Sequence, residues 1–133
     1  LIVGRIFDRF PNINAGAAEV GHGWLPHWLI RLGEMVSYVA GTTPPTEYKP
    51  IEYAQMGRFK CGAEPFEGPE MTKACIDLLG TGCLMHQSDY PHNEAHFPDT
   101  AEIVINWPFW KELGDEALQS HMSGNAESFL RLI

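Results

Sequence analysis

The sequence predicts an α/β domain built on a parallel sheet. Three short apolar runs, residues 13–20, 58–63 and 83–87, alternate with stretches whose apolar residues recur at helical spacing. In residues 24–38, Trp24, Leu25, Trp28, Leu29, Leu32 and Met35 form such a stripe. Strands separated by amphipathic helices imply parallel pairing with right-handed crossovers and helices packed on the sheet. Ionisable residues also gather where the runs end, and in parallel α/β folds that carboxyl end of the sheet carries the ligand site.

Taken in order, residues 1–10 read as the tail of a helix, with Ile2, Ile6 and Phe10 on one stripe, broken by Pro11-Asn12. Residues 13–20 form the first strand, ending at Glu19, although alanine is a poor strand former. Gly21-His22-Gly23 turns the chain into the helix over 24–38, where Pro26 is tolerated in the first turn. Gly41-Thr42-Thr43-Pro44-Pro45 ends that helix, and 46–57 has room for a short one. Residues 58–63 form the second strand, Gly68-Pro69-Glu70 opens a helix to Leu79, and Gly80 stops it. The third strand, 83–87, runs into Ser88-Asp89, and Pro91 ends pairing because it has no N–H. Helices follow over 100–107, 115–122 and 125–131, with Asp115 and Asn125 as expected N-caps.

Composition bounds the function. At 133 residues and 44% hydrophobic content the chain reads as one domain with a real core. A formal net charge of −8 argues against a nucleic-acid surface. No apolar stretch approaches the roughly 18 residues of a membrane span, and Leu1-Ile2-Val3 is too short for a signal-peptide core. Opening on Leu1 rather than Met suits a trimmed or partial product. Cys61, Cys75 and Cys83 are odd in number and lack C-x-x-C spacing, so buried reduced thiols in a cytoplasmic protein are expected.

The first strand offers Glu19 and His22 at its end, the second Glu64 and Glu67, the third Asp89 and His92 with His96 nearby. Asp89, at the end of a buried strand, needs a partner, and a metal or a histidine would serve. Glu64 and Glu67 read as solvated loop charges, His27 and His86 as packed histidines, and His96 and His121 as surface residues. His22, between two glycines, is as well suited to an exposed turn as to a site. No His-x-His, H-E-x-x-H, G-x-S-x-G or P-loop pattern occurs.

Four segments together resemble the amidohydrolase-related family of metal-dependent hydrolases and decarboxylases. They are Val3-Gly4-Arg5-Ile6-Phe7-Asp8-Arg9-Phe10-Pro11-Asn12, Gly23-Trp24-Leu25-Pro26-His27-Trp28-Leu29-Ile30-Arg31-Leu32, Ser88-Asp89-Tyr90-Pro91-His92 with Phe97-Pro98, and Gly124-Asn125-Ala126. The resemblance implies the carboxyl-terminal portion of a (β/α)8 TIM-type barrel, its last three strands with their helices. It makes Asp89 the last-strand aspartate that contacts the catalytic metal and handles the proton of a metal-activated water. Glu19 falls at or beside the position where decarboxylase relatives carry a catalytic histidine, a departure that weighs against decarboxylation, although other relatives carry glutamate there. Gln87 stands where a small residue is usual. His92, His22 and Trp24 are expected to contact a small carboxylate or cyclic substrate, Trp24 as a pocket wall. The implied cofactor is a divalent metal, zinc ahead of manganese. The family's remaining metal ligands would precede Leu1, so the chain brings one ligand of that set. His22 and His92 could complete an improvised site around Asp89. Two open sheet edges imply an oligomer or a complementing amino-terminal barrel segment. The competing expectation is a non-catalytic barrel fragment that oligomerises and binds no metal.

Overall fold

A computed structural model describes residues 1–132. The sheet has three parallel strands in the order β1-β2-β3: β1 (Ala15–Ala17), β2 (Phe59–Ala63) and β3 (Leu84–His86). Ala17 pairs with Cys61, Cys61 with Leu84 and Ala63 with His86, so β2 and β3 end at one level and β1 ends two residues earlier. Helix α1 (Ile6–Arg9) precedes β1, α2 (Trp24–Tyr38) and α3 (Pro50–Gln55) connect β1 to β2, and α4 (Gly68–Leu79) connects β2 to β3. A short 3-10 turn over Pro65–Glu67 leads into α4. After β3 come α5 (Thr100–Ile105), α6 (Trp110–Leu113), α7 (Asp115–Gln119), a π-helical turn over Ser120–Gly124, and α8 (Asn125–Leu130).

Strand alternation sorts β2 into two faces. Phe59, Cys61 and Ala63 point to the helices, where Cys61 and Leu84 pack with Leu25 and Leu29 of α2 and Cys75 and Leu79 of α4. The buried positions of α4, Thr72, Cys75, Ile76 and Leu79, fall at the spacing of one helical stripe. Fully burying a leucine such as Leu25 or Leu29 contributes about 2 kcal/mol. Lys60, Gly62 and the following Glu64 share the other face, and Glu64 continues the extended backbone (φ −81°, ψ 127°). Gln87 continues β3 in the same way, its N–H donating to the Ala63 carbonyl at 3.3 Å.

Several sequence expectations need correction. The first helix is confined to Ile6–Arg9, and the first strand to Ala15–Ala17 rather than 13–20, because only that stretch finds ladder partners on β2. Helix α6 was not expected; the Trp110 indole anchors it by donating to the Val104 carbonyl at 2.8 Å. Asp115 and Asn125 are not N-caps: Gly114 and Gly124 occupy those positions, without side-chain capping bonds. Asn125 instead donates its amide to the carbonyls of Thr81 (2.6 Å) and Leu84 (2.8 Å), tying α8 to β3. His121, expected at the surface, is 2% exposed between Trp110 and His86, and His27, expected to be packed, is exposed. None of the helices among the described residues is long and apolar enough to cross a membrane.

Candidate metal centre at the carboxyl end of the sheet

The ends of β1 and β3 bring together Glu19, Asp89 and His92, each offering one ligand atom, all within 4.8 Å of one another. Asp89 is buried, and its Oδ1 lies 2.6 Å from His92 Nδ1. The same nitrogen lies 3.3 Å from Glu19 Oε2. Glu19 (φ 60°) and Asp89 (φ 58°) both have left-handed backbone, a conformation costing a side-chain-bearing residue about 1–2 kcal/mol. The His92 imidazole is pushed above its ordinary range by its hydrogen bond to Asp89 and the charges of Asp89 and Glu19. Glu19 is also pushed up, chiefly by hydrogen bonding with the Asp89 carboxyl group beside it, then by desolvation and by that group's like charge.

These groups open into a pocket of about 350 Å³ that is also lined by Glu64, Glu67 and Glu94. His92 is the one basic side chain among its described lining residues. A larger hollow of about 620 Å³, by the end of α2 and the 43–50 segment, holds no such cluster of ligand atoms among the described residues.

His22 and Trp24 stand apart from this pocket. His22 is fully buried, its Nε2 3.0 Å from Thr72 Oγ1 and its Nδ1 2.6 Å from Glu67 Oε2, with the ring N–H out of line for a hydrogen bond. Burial pushes its basicity down, partly offset by the Glu67 charge. It is therefore neither an exposed turn residue nor a third ligand beside Asp89. The Trp24 indole donates to the Gly21 carbonyl at 3.0 Å and packs edge-on against Trp28, so it holds the start of α2 and does not wall the pocket.

Glu64 and Glu67 are not solvated charges. Glu64 is 5% exposed. Glu67 Oε2 accepts from the backbone N–H groups of His22 (2.6 Å) and Gly23 (3.0 Å), fastening the β1–α2 loop to the β2–α4 loop at the amino end of a long helix. Gln87, whose amide reaches both Glu19 and Glu64, also belongs to the neighbourhood. Strand alternation from Asp89 back to Gln87, and from Gly62 to Glu64, was the available signal for this shared face.

The donor set suits a divalent cation. One imidazole nitrogen and two carboxylates are ligands that zinc and manganese accept, and the two acids crowd each other in its absence.

No protein-family profile and no curated protein matches the chain. Solved structures do. The 5-carboxyvanillate decarboxylase of Sphingomonas paucimobilis matches with a TM-score of 0.76 and 25% identity over 98% of this chain and 37% of that one. The 5-carboxyvanillate decarboxylase of Novosphingobium aromaticivorans, complexed with manganese and 4-hydroxy-3-methoxy-5-nitrobenzoic acid, matches with a TM-score of 0.77 and 20% identity over 98% and 36%. A 2,6-dihydroxybenzoate decarboxylase from Rhizobium matches with a TM-score of 0.71 and 17% identity over 99% and 39%. The chain thus spans well under half the length of these relatives. A divalent metal, manganese, is bound in solved members of this set, together with small aromatic molecules, one of them an inhibitor. The chain is built like the carboxyl-terminal, three-stranded portion of the barrel found in amidohydrolase-superfamily decarboxylases and amidohydrolases.

Proposed function

We propose that this chain supplies part of the active site of a metal-dependent hydrolase or decarboxylase acting on a small carboxylate or cyclic substrate. The observation that carries the reading is the grouping of Glu19, Asp89 and His92 within 4.8 Å at the carboxyl end of a parallel sheet. Asp89, with Glu19 and His92 beside it, would hold the metal, zinc or manganese. When bound, such a metal polarises substrate oxygen and lowers the pKa of a water. Where His92 is not itself a ligand, its 2.6 Å hydrogen bond to Asp89 orients the ring to pass a proton to or from a reacting group. Glu19, about half exposed, orients the substrate at the pocket mouth. The three buried free thiols suit a reducing, cytoplasmic setting.

The competing reading is a non-catalytic barrel portion that assembles through its sheet edges. It is favoured by β1 and β3 each having a strand partner on one side only among the described residues.

Calorimetric titration with Mn²⁺, run with native mass measurement, tests the two. Stoichiometric binding that Asp89→Ala weakens by more than about 10-fold is expected, a loss met even when a ligand's partner is removed. A folded oligomer that takes up neither Mn²⁺ nor Zn²⁺ would refute the metal site and leave the assembly reading.

A further inference from the structure

The Gln87 side chain crosses the whole sheet end. It leaves β3, passes over the central strand, and its Nε2 donates to Glu64 Oε1 at 2.9 Å and to Glu19 Oε1 at 3.1 Å. Only the amide nitrogen can face two carboxylates, since the oxygen has no proton to donate, so the orientation of the amide is fixed by its neighbours. The crossing depends on Gly62. A Cβ built there would lie 1.8 Å from Gln87 Oε1 and 2.7 Å from its Cδ. Gly62 does not have the left-handed backbone of Gly21 or Gly57, so the close approach of the amide, and not the backbone conformation, accounts for a glycine at this position.

The bridge runs from a buried anchor to an exposed end. Glu64 is 5% exposed, and its Oε1 also accepts from the Gly21 N–H at 3.4 Å. The Glu19 side chain is 55% exposed, and its other close polar neighbours are His92 and Asp89 of the cluster. With one oxygen held by Gln87, the other oxygen of Glu19 lies 3.3 Å from His92 Nδ1. The bridge thus divides the Glu19 carboxylate: Oε1 goes to the amide and Oε2 to the cluster.

We propose that Gln87 is a positioning residue that orders the Glu19 carboxylate beside Asp89 and His92 by bridging it to the buried Glu64 across the face of Gly62. Without the bridge, a half-exposed glutamate has three rotatable side-chain bonds and a like-charged neighbour to avoid. The bridge removes that freedom before any cation arrives, which is how a partner of a ligand raises affinity. The consequence for metal binding rests on the function proposed above, whereas the bridge itself does not.

Two measurements on the full chain separate these. In the metal-free protein, ¹⁵N–¹H spectra report the Gln87 side-chain amide directly. It is expected away from the position of a free glutamine amide, and to return towards that position in Gly62→Ala, which displaces the amide but keeps Gln87. It is also expected to shift in Glu19→Ala. A Gln87 amide at the free position in the wild type, or one unmoved by both variants while they remain folded, overturns the bridge. In Mn²⁺ titrations, Gln87→Ala and Gly62→Ala are each expected to weaken binding by about 10-fold. In a Glu19→Ala background, Gln87→Ala is expected to add no further loss, because Gln87 acts through Glu19. An undiminished loss in that background overturns the positioning role. A wild type that takes up no Mn²⁺ refutes the metal reading, while the spectra still decide the bridge.

Discussion

Acid should destabilise this fold through His121. The ring is 2% exposed, its centroid 5.2 Å from Trp110 and 6.1 Å from His86, and its Nδ1 has no hydrogen-bond partner. Burial, with smaller contributions from His86 and His22, pushes its pKa from the ordinary 6.5 down to about 3. A group whose pKa is depressed on folding because it is buried neutral leaves stability intact above the unfolded value. Stability is then lost as pH falls from about 6.5 towards about 3, where the folded state also takes the proton. Each pH unit in that window removes about 1.4 kcal/mol, so roughly 2 kcal/mol is gone by about pH 5. That is a large fraction of the ~5–15 kcal/mol that stabilises an ordinary domain. His121→Phe keeps the ring between its neighbours and deletes the proton site. Urea unfolding at about pH 7 should show the variant within ~1.5 kcal/mol of the parent. At about pH 5 the parent should have lost roughly 2 kcal/mol more than the variant. Some slope must remain in the variant, since burial also lowers His86 and His22. Equal losses in the two proteins would refute the assignment of the acid sensitivity to His121.

Two further outcomes follow from buried groups elsewhere. Burial pushes the thiols of Cys61 and Cys83 up to about 12 and that of Cys75 up to about 11, so iodoacetamide should leave all three unmodified in the native protein and label all three in denaturant, as read by intact mass. Glu67→Ala frees the N–H groups of His22 and Gly23 at the start of α2 and should cost about 1–2 kcal/mol in urea unfolding, with Glu67→Gln recovering part of it because its amide oxygen can still accept.

The parts of the fold legible in the sequence are those governed by local pattern. Helix α2 follows its apolar stripe over Trp24–Tyr38, and α4 runs from the Gly68-Pro69 opening to the left-handed Gly80 (φ 82°). Parallel order follows from alternation. The first strand is shorter than its run because Ile13 and Val20 lie outside the ladder with β2. Asn125 departs from its expected capping role for the same reason. Its side chain looks like a cap in one dimension and bonds to residues 41 and 44 positions away in three. The site was half legible. Asp89 and His92 are local partners, three residues apart, and Glu19 joins them across the sheet. The Glu64 and Glu67 roles depend on backbone N–H groups more than 40 residues distant, which nothing in Glu64-Pro65-Phe66-Glu67 announces.

The backbone at the two acids gives a reason to regard the cluster as selected for something other than stability. Five described non-glycine residues have positive φ, and two of them, Glu19 and Asp89, are the carboxylates of the candidate metal centre. Glycine would relieve that conformation at either position, as Gly21 (φ 65°) does two residues after Glu19. The strain therefore opposes folding once. The electrostatics oppose it again, because the Asp89 carboxylate raises the pKa of Glu19 and His92 stands between the two as the one nearby cationic group. Glu19 lies outside the β1 ladder, and its carboxylate meets His92, Asp89 and the Gln87 amide, all at the end of the sheet. A divalent cation would reverse the electrostatic part of that opposition and leave the backbone strain in place, holding both carboxylates at the end of the sheet.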